Sequence, residues 1–197
     1  MQRMENSKMQ ITVAKNAGFC FGVARAARLI EAEIAKKIDG QRIFTLGKLI
    51  HNDTYNAYLK ANGVGVAEAD DVPRLALEAR EGAEVKIFVR AHGIEKKVKR
   101  LLLEAAEKNP YFSFVDCTCV FVDKIHKIVK EHNDPEGVLL VLGSSVHPEV
   151  IGFCSQFDGK VCVFDSLAGL KNALTEGNIS LNLTNPPIVV AQTTQNL

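Results

Sequence analysis

One strand–helix–strand unit is predicted by residues 85–119, VKIFVRAHGIEKKVKRLLLEAAEKNPYFSFVDCTC. Residues 85–89 and 112–115 have the β-branched and aromatic composition of buried strands, and a basic helix is predicted between them over 95–108. Because the helix carries the chain back across the sheet, the two strands are expected to pair in parallel. The unit therefore indicates an α/β architecture.

The same alternation continues on both sides of this unit. Strands are predicted at residues 10–14, 43–46, 64–67, 138–142, 160–164 and 187–191, and helices at 23–38, 53–61 and 120–132, after Glu149 and from about Ser166. Asn52 is the expected N-cap of the helix at 53–61. Continuous alternation of this kind predicts parallel sheets with helices on both faces. A boundary near Cys119 would divide the chain into two similar αβα units.

The composition is that of an ordinary globular protein. The chain has 197 residues, of which 47% are hydrophobic and 24% charged, with a formal net charge of +1. These values exclude a disordered chain, a collagen-like repeat and a small disulfide scaffold, and they argue against nucleic acid as the main partner. The sequence has no run of about 18 apolar residues that could span a membrane. Its polar start lacks the apolar segment of a signal peptide, which predicts a cytoplasmic protein with reduced thiols.

Residues that bind metals or carry protons follow six of the predicted strands. They are Cys20, His51, His92, Cys119, His147 with Glu149, and Thr193. Ligands of open parallel sheets bind outside the carboxyl ends of the strands, and random placement would rarely put so many reactive groups there. Among these residues, the segment His147-Pro-Glu149 is the most specific sign of a functional site, because proline in a first helical turn fixes the backbone between two proton carriers. These residues predict one functional site.

The five cysteines are odd in number and irregular in spacing, which argues against a disulfide framework. Cys20 lies between glycines and Cys119 opens a predicted helix, so both are candidates for a reactive or metal-binding thiolate. The other three, Cys117, Cys154 and Cys162, are predicted to be packing residues.

Two separated thiolates with several imidazoles suit either a zinc site or an iron–sulfur cluster, and their spacing does not choose the metal. The histidines and the helix N-termini would suit an anion such as a diphosphate. Glu149 beside His147 could then deliver protons. A zinc-dependent hydrolase that uses Cys20, Cys119 and one histidine stays open at this point, as does a non-catalytic binding fragment.

Six short motifs, taken in order, resemble those of the LytB/IspH family of 4-hydroxy-3-methylbut-2-enyl diphosphate reductases. The motifs are GFCFGV at 18–23, LIHN at 49–52, AHG at 91–93, DCTC at 116–119, HPEV at 147–150 and QTT at 192–194. The resemblance covers residues 9–197. It implies the last step of the methylerythritol phosphate route, in which an allylic hydroxyl is removed reductively to give isopentenyl and dimethylallyl diphosphates.

The resemblance also implies a cofactor and a role for each candidate residue. A [4Fe–4S] cluster would be held by three cysteines, of which Cys20 and Cys119 are two, and a ferredoxin or flavodoxin would donate the electrons. The diphosphate would be held by His51, His92 and His147, and His92 or His147 would also serve the proton path. Glu149 would supply or relay a proton to the leaving hydroxyl. Thr193 would position that hydroxyl or a water near Glu149.

The sequence departs from the family pattern in one respect. The family has three αβα units in a pseudo-threefold array, each of which gives one cysteine, whereas residues 20–118 and 119–197 match two units. The third cysteine and a Ser-x-Asn contact are missing, which predicts the N-terminal two-thirds of a longer protein that is inactive alone. Residues 1–19 are expected to hold a strand that packs with the missing unit.

Overall fold

The computed structural model describes residues 11–12, 14, 17–177, 179 and 184–195. Strands and helices alternate along them, as the sequence predicts. The elements are α1 (Phe21–Ile34), β1 (Arg42–Leu46), α2 (Asp53–Ala61), β2 (Val64–Ala67), a 3-10 turn (Ala69–Asp71), α3 (Val72–Glu78), β3 (Val85–Val89), α4 (Lys96–Lys108), β4 (Phe112–Asp116), α5 (Val120–Glu131), β5 (Val138–Leu142), α6 (Pro148–Cys154), β6 (Lys160–Phe164), α7 (Leu167–Thr175) and β7 (Ile188–Ala191).

The strands form two parallel sheets. The first has the order β2-β1-β3-β4 and the second the order β6-β5-β7. In each sheet the chain first moves to one neighbouring strand and later returns to the opposite side of its starting strand. The direction of winding therefore reverses between β1 and β3 and again between β5 and β7. Such reversals open a crevice at the carboxyl ends of the two strands, where ligands of α/β proteins bind.

Helices cover both faces of the first sheet, as predicted. One apolar cluster joins β3 to α3 and α4 through Leu75 and Leu102, each at most 1% exposed. A second cluster, on the opposite face, joins the sheet to α1 and α2 through Ile30 and Leu59. Burial on both faces explains why these strands are continuous apolar runs rather than alternating ones.

The second sheet departs from that prediction on one face. Val129 of α5 and Phe153 of α6 bury its inner face, together with Leu139 and Val141 of β5. On the other face Val189 of β7 is 67% exposed. The reason is that α7 lies beside β6 and has no buried residue among those described. On that face Leu140 of the central strand β5 is only 4% exposed, so among the described residues coverage is lost at the edge strand β7 and not at the centre of the sheet.

The main departures from the predicted elements occur at three places, beside shifts of a single residue elsewhere. Helix α1 begins at Phe21 and ends at Ile34 instead of Ile38, because Lys36 and Lys37 donate hydrogen bonds three residues back, which tightens the last turn. Helix α3 and the 3-10 turn before it were not predicted. The predicted strand at 10–14 includes residues 10 and 13, which lie outside the described residues, and its remaining members are not in a strand.

No helix in the described ranges combines the length and the apolar character needed to cross a membrane. The division at residue 118/119 stays a prediction. The sheets do follow it, since β1 to β4 precede Cys119 and β5 to β7 follow it.

Candidate functional site

The crevice between β1 and β3 brings His51 and His92 together. The two ring centroids are 4.2 Å apart. The loops that carry them are joined by a backbone bond in which Ala91 N–H donates to Leu49 O at 3.1 Å. The N–H of Cys119 then donates to Ala91 O at 2.8 Å. Backbone hydrogen bonding between β1, β3 and β4 thus continues into the loops that follow these strands. It fixes the order in which the three loops lie side by side.

The crevice of the second sheet adds His147 to this pair. His147 is the N-cap residue of α6, directly after the β5 loop, and Pro148 occupies the first helical turn as predicted. Its ring centroid lies 5.5 Å from that of His51 and 5.6 Å from that of His92. One ring nitrogen of each histidine lies within 4.8 Å of the others. Two separate sheets therefore supply one cluster of three imidazoles.

The hydrogen bonding of His147 determines which ligand suits the cluster. Its Nδ1 accepts a hydrogen bond from the backbone N–H of Glu149 at 3.2 Å. A neutral imidazole with a lone pair on Nδ1 carries its proton on Nε2. His147 can therefore donate a hydrogen bond from Nε2, whereas a metal ion bound at Nε2 would need that proton removed. This tautomer favours an anionic oxygen over a metal cation.

Burial and mutual repulsion lower the pKa values of two of the three histidines, His92 and His147. The pKa of His92 is lowered to about 4, chiefly by burial and then by the neighbouring His51, His147 and Arg90. The pKa of His147 is also lowered, first by burial and then by His51 and Arg90, against an opposing effect of Glu149. Bound anionic charge would reverse these repulsions, because it favours the protonated imidazole.

Arg90 is a site residue that sequence reasoning missed. It directly follows strand β3, is half-buried, and its Nε donates to Gly93 O at 3.1 Å. Its guanidinium is close enough to lower the pKa values of His92 and His147. The available signal was its position, since it directly precedes the AHG motif at a strand end. The permanent positive charge of Arg90 makes the cluster a better receptor for an anion.

Glu149 and Thr193 form a second polar group beside the histidines. Glu149 is 1% exposed. Its Oε1 accepts a hydrogen bond from Thr193 N–H at 2.7 Å, and its Oε2 accepts one from the Thr193 hydroxyl at 2.8 Å. The crevice between β5 and β7 thus pairs a buried proton acceptor with a hydroxyl that can pass a proton on.

Replacing Thr193 with valine should lower the free energy of unfolding by about 1–3 kcal/mol, because a buried carboxylate oxygen loses its donor. Thr193→Ser keeps the hydroxyl and should cost less than about 1 kcal/mol. Urea titration followed by circular dichroism measures both values. A larger loss in Thr193→Ser than in Thr193→Val would show that the methyl group, and not the hydrogen bond, stabilises this corner.

Cys20 and Cys119 occupy equivalent positions at two helix N-termini. Cys20 is the N-cap residue of α1 and Cys119 that of α5, and neither side chain makes a capping hydrogen bond among the described residues. Helix N-termini favour a thiolate. The two segments touch, because a Cβ atom at Gly22 would overlap the Sγ of Cys119. The missing side chain of Gly22 therefore gives the Cys119 thiol its space.

A methyl group at position 22 should displace the side chain of Cys119. We expect Gly22→Ala to lower the free energy of unfolding by about 1–3 kcal/mol through overpacking, and to change the rate at which a thiol reagent modifies Cys119. Mass spectrometry of the modified protein gives that rate for each cysteine. Gly169→Ala is the matched control, since a Cβ there meets only ordinary contacts. An unchanged Cys119 rate in Gly22→Ala would contradict the proposed contact.

The remaining cysteines lie outside this arrangement. Cys117 is fully buried in the core cluster of α1 and α2, and burial raises the pKa of its thiol to about 12, so the packing prediction is confirmed. Cys154 packs against the core of the second sheet, and burial raises its pKa to about 11, which confirms the same prediction there. Cys162 lies on β6 and is partly exposed; its packing role stays a prediction.

Comparison with known proteins identifies one family. The sequence profile of the LytB protein family matches residues 11–197. A relative from Thermoanaerobacter sp. (strain X514), named 4-hydroxy-3-methylbut-2-enyl diphosphate reductase, is 36% identical over 159 residues, or 81% of this chain and 51% of the relative. A relative of the same name from Aquifex aeolicus is 32% identical over 191 residues, or 95% of this chain and 58% of the relative.

Solved structures show the same fold. A structure of (E)-4-hydroxy-3-methyl-but-2-enyl diphosphate reductase, described as the terminal enzyme of the non-mevalonate pathway, aligns with a TM-score of 0.66 and 32% identity. The alignment covers 94% of this chain and 59% of that structure. The reductase from Plasmodium falciparum aligns with a TM-score of 0.71 at 24% identity, over 91% of this chain and 50% of the other. The chain spans about half the length of the first curated relatives that it matches.

Proposed function

Since the chain belongs to the LytB family, we propose that it carries the diphosphate-binding and proton-transferring residues of a 4-hydroxy-3-methylbut-2-enyl diphosphate reductase. The observation that carries the proposal is the cluster of His51, His92 and His147, which two crevices bring to one point. The pair Glu149 and Thr193 lies directly beside it. A single ligand with an anionic end and a hydroxyl end would use both groups at once.

The three histidines would bind the diphosphate by donating hydrogen bonds to its oxygens. His147 presents its Nε2 proton, because its Nδ1 is occupied by the Glu149 N–H. Hydrogen bonds from an ionised donor are stronger than those from a neutral one. Proton uptake by His92 on binding would therefore strengthen the complex, and the charge of Arg90 adds to the attraction.

The reaction replaces an allylic C–O bond by a C–H bond and releases water. It consumes two electrons and two protons, of which one goes to the leaving hydroxyl and the other to the carbon skeleton. Hydroxide is a poor leaving group, so its protonation is essential. The Thr193 hydroxyl lies 2.8 Å from Glu149 Oε2. A protonated Glu149 would donate to Thr193 Oγ1 while the Thr193 hydroxyl donates its own proton to the leaving oxygen, so that one proton passes from Glu149 to the leaving group.

Cys20 and Cys119 fit the iron–sulfur cluster that the family implies. Their side chains make no capping bonds among the described residues, and thiolates are the ligands that such clusters prefer. We assign both as cluster ligands. When bound, the cluster would supply the electrons and a Lewis-acidic iron to the hydroxyl oxygen. The electrons would come from a ferredoxin or flavodoxin, and the proposed compartment is the cytoplasm.

The proposal is tested by anaerobic incubation of the protein with ferrous iron and sulfide, followed by removal of unbound metal. We expect bound iron and sulfide in equal amounts, and binding of 4-hydroxy-3-methylbut-2-enyl diphosphate in a calorimeter. Cys119→Ser should lower the bound iron, whereas Cys162→Ser is the matched control. Failure to bind the substrate diphosphate would contradict the proposal.

One observation restricts the zinc-dependent hydrolase. Its histidine ligand needs a ring nitrogen that is free to bind the metal, and the Nδ1 of His147 already accepts a hydrogen bond from Glu149 N–H, so His51 or His92 would have to be the ligand. Zinc bound without sulfide in the same experiment would support the hydrolase against the reductase. A non-catalytic binding fragment would bind the diphosphate but no iron, and would leave Cys20 and Cys119 equally reactive before and after incubation.

A further inference from the structure

His126 is buried beside the site and has no place in the proposed chemistry. It lies in the middle of α5, and its Nε2 is shielded from solvent without a hydrogen-bond partner among the described residues. Its ring meets that of Phe153 edge-on, with centroids 6.3 Å apart. Burial lowers the pKa of His126, which favours the neutral ring. An unpaired buried nitrogen is destabilising, so packing alone would favour an apolar side chain here.

The tip of the His126 ring touches two separate segments at glycines. A Cβ atom at Gly93 would lie 2.8 Å from Nε2 and 3.3 Å from Cε1. A Cβ atom at Gly152 would lie 3.2 Å from Cε1 and 3.3 Å from Nε2. The same two ring atoms therefore occupy the space that a side chain at either position would need, and that space is open because glycine has no side chain.

These two glycines belong to the segments that carry the cluster. Gly93 directly follows His92, and its φ of +77° places it in the left-handed region that favours glycine. Gly152 lies in α6, the helix whose N-cap is His147 and whose first turn contains Glu149. The imidazole of His126 thus occupies the space between the loop of the first sheet and the helix of the second.

We propose that His126 is a positioning residue, whose ring between Gly93 and Gly152 sets the separation of His92 from His147. The inference rests on the proposed function only for the identity of the ligand. Protein interiors are packed as closely as crystals, so removal of the His126 ring should shift the segments at Gly93 and Gly152. A misplacement of about 1 Å is enough to weaken a site strongly.

The first test compares His126→Ala with Val129→Ala in the protein without ligand. Val129 is fully buried on the same helix but packs into the core of the second sheet. Val129→Ala therefore also removes buried packing from this helix, but at a place away from the cluster. Proton–proton NOEs between the rings of His92 and His147 report their separation. We expect His126→Ala to lose these NOEs and Val129→Ala to keep them. Retention in both variants would overturn the proposal.

The second test measures affinity for inorganic pyrophosphate by calorimetry. We expect His126→Ala to bind about tenfold more weakly, and Val129→Ala to bind within about twofold of the wild type. In a His147→Leu background the further loss from His126→Ala should be below about twofold, because coupled residues are not additive. A full additive loss in that background would overturn the proposal. If the wild type does not bind pyrophosphate, the proposed function fails and the NOE comparison alone decides the role of His126.

A second variant covers the case in which His126→Ala does not fold. Gly152→Ala adds a methyl group against the His126 ring, and alanine also favours the helix. The variant therefore displaces the ring of His126 without removing it. It should change the same NOEs, whereas Gly169→Ala, with ordinary contacts at its Cβ, should not. Identical NOEs in the two glycine variants would count against the positioning role.

Discussion

We expect the His92→Leu variant to bind inorganic pyrophosphate about 10 to 100 times more weakly than the wild-type protein. Leucine fills the half-buried position but has no N–H group. A hydrogen bond to a charged group contributes about 1.5–3 kcal/mol, and each factor of ten in the dissociation constant corresponds to about 1.4 kcal/mol. Isothermal titration calorimetry at fixed salt gives the constants directly.

Two further variants separate the hydrogen bond from the general effect of losing a histidine. His92→Gln keeps a side-chain N–H donor and should recover part of the lost affinity. His132→Leu removes a histidine at the exposed end of α5, where its Nδ1 contacts Ile128 O, and should leave binding unchanged. A wild-type affinity in His92→Leu, or an equal loss in His132→Leu, would show that His92 does not contact the anion.

We expect the protein to lose about 2–3 kcal/mol of its free energy of unfolding between about pH 7 and pH 4.5 because of His92. The pKa of this histidine is lowered from 6.5 to about 4, chiefly by burial. In the unfolded chain the ring is protonated below about pH 6.5, but in the folded protein it stays neutral down to about 4. Throughout that interval the unfolded state binds more protons, so acid favours unfolding.

The comparison with His92→Gln isolates this contribution. Glutamine does not titrate, so the difference in stability between wild type and variant should shrink steadily as the pH falls through this interval. Urea titrations at half-unit steps provide the measurement. His147 acts in the same direction, because its pKa is also lowered. Parallel stability curves for the two proteins, with no convergence, would mean that His92 titrates normally.

Local sequence patterns predicted most of the strands and helices because these carry local signals. The strand at 138–142 is a plain apolar run, and Asn52 does cap α2, since its side chain accepts from Tyr55 N–H at 2.8 Å. Helix α3 was missed because it has seven residues and begins next to a proline, which reads as a turn. The buried spacing of Val72 and Leu75 was its available signal.

Strand ends predicted which residues would take part in the site, but not how they meet. Order along the chain cannot show that His147 joins His51 and His92, because that depends on how two sheets pack. Nor can it show that Glu149 accepts both hydrogen bonds of Thr193. His126 escaped prediction for the same reason: its neighbours Gly93 and Gly152 are distant in sequence, and a histidine in mid-helix resembles any other packing residue.

The origin of the three imidazoles on two different sheets has a consequence for unfolding. His51 and His92 stand on the first sheet and His147 on the second, so an anion held by all three is bound only while both sheets are folded and in contact. Ligand at about one hundred times its dissociation constant stabilises that state by about 2.7 kcal/mol. A small anion thereby acts as a thermodynamic link, and the two halves of the chain lose their structure in a single cooperative transition.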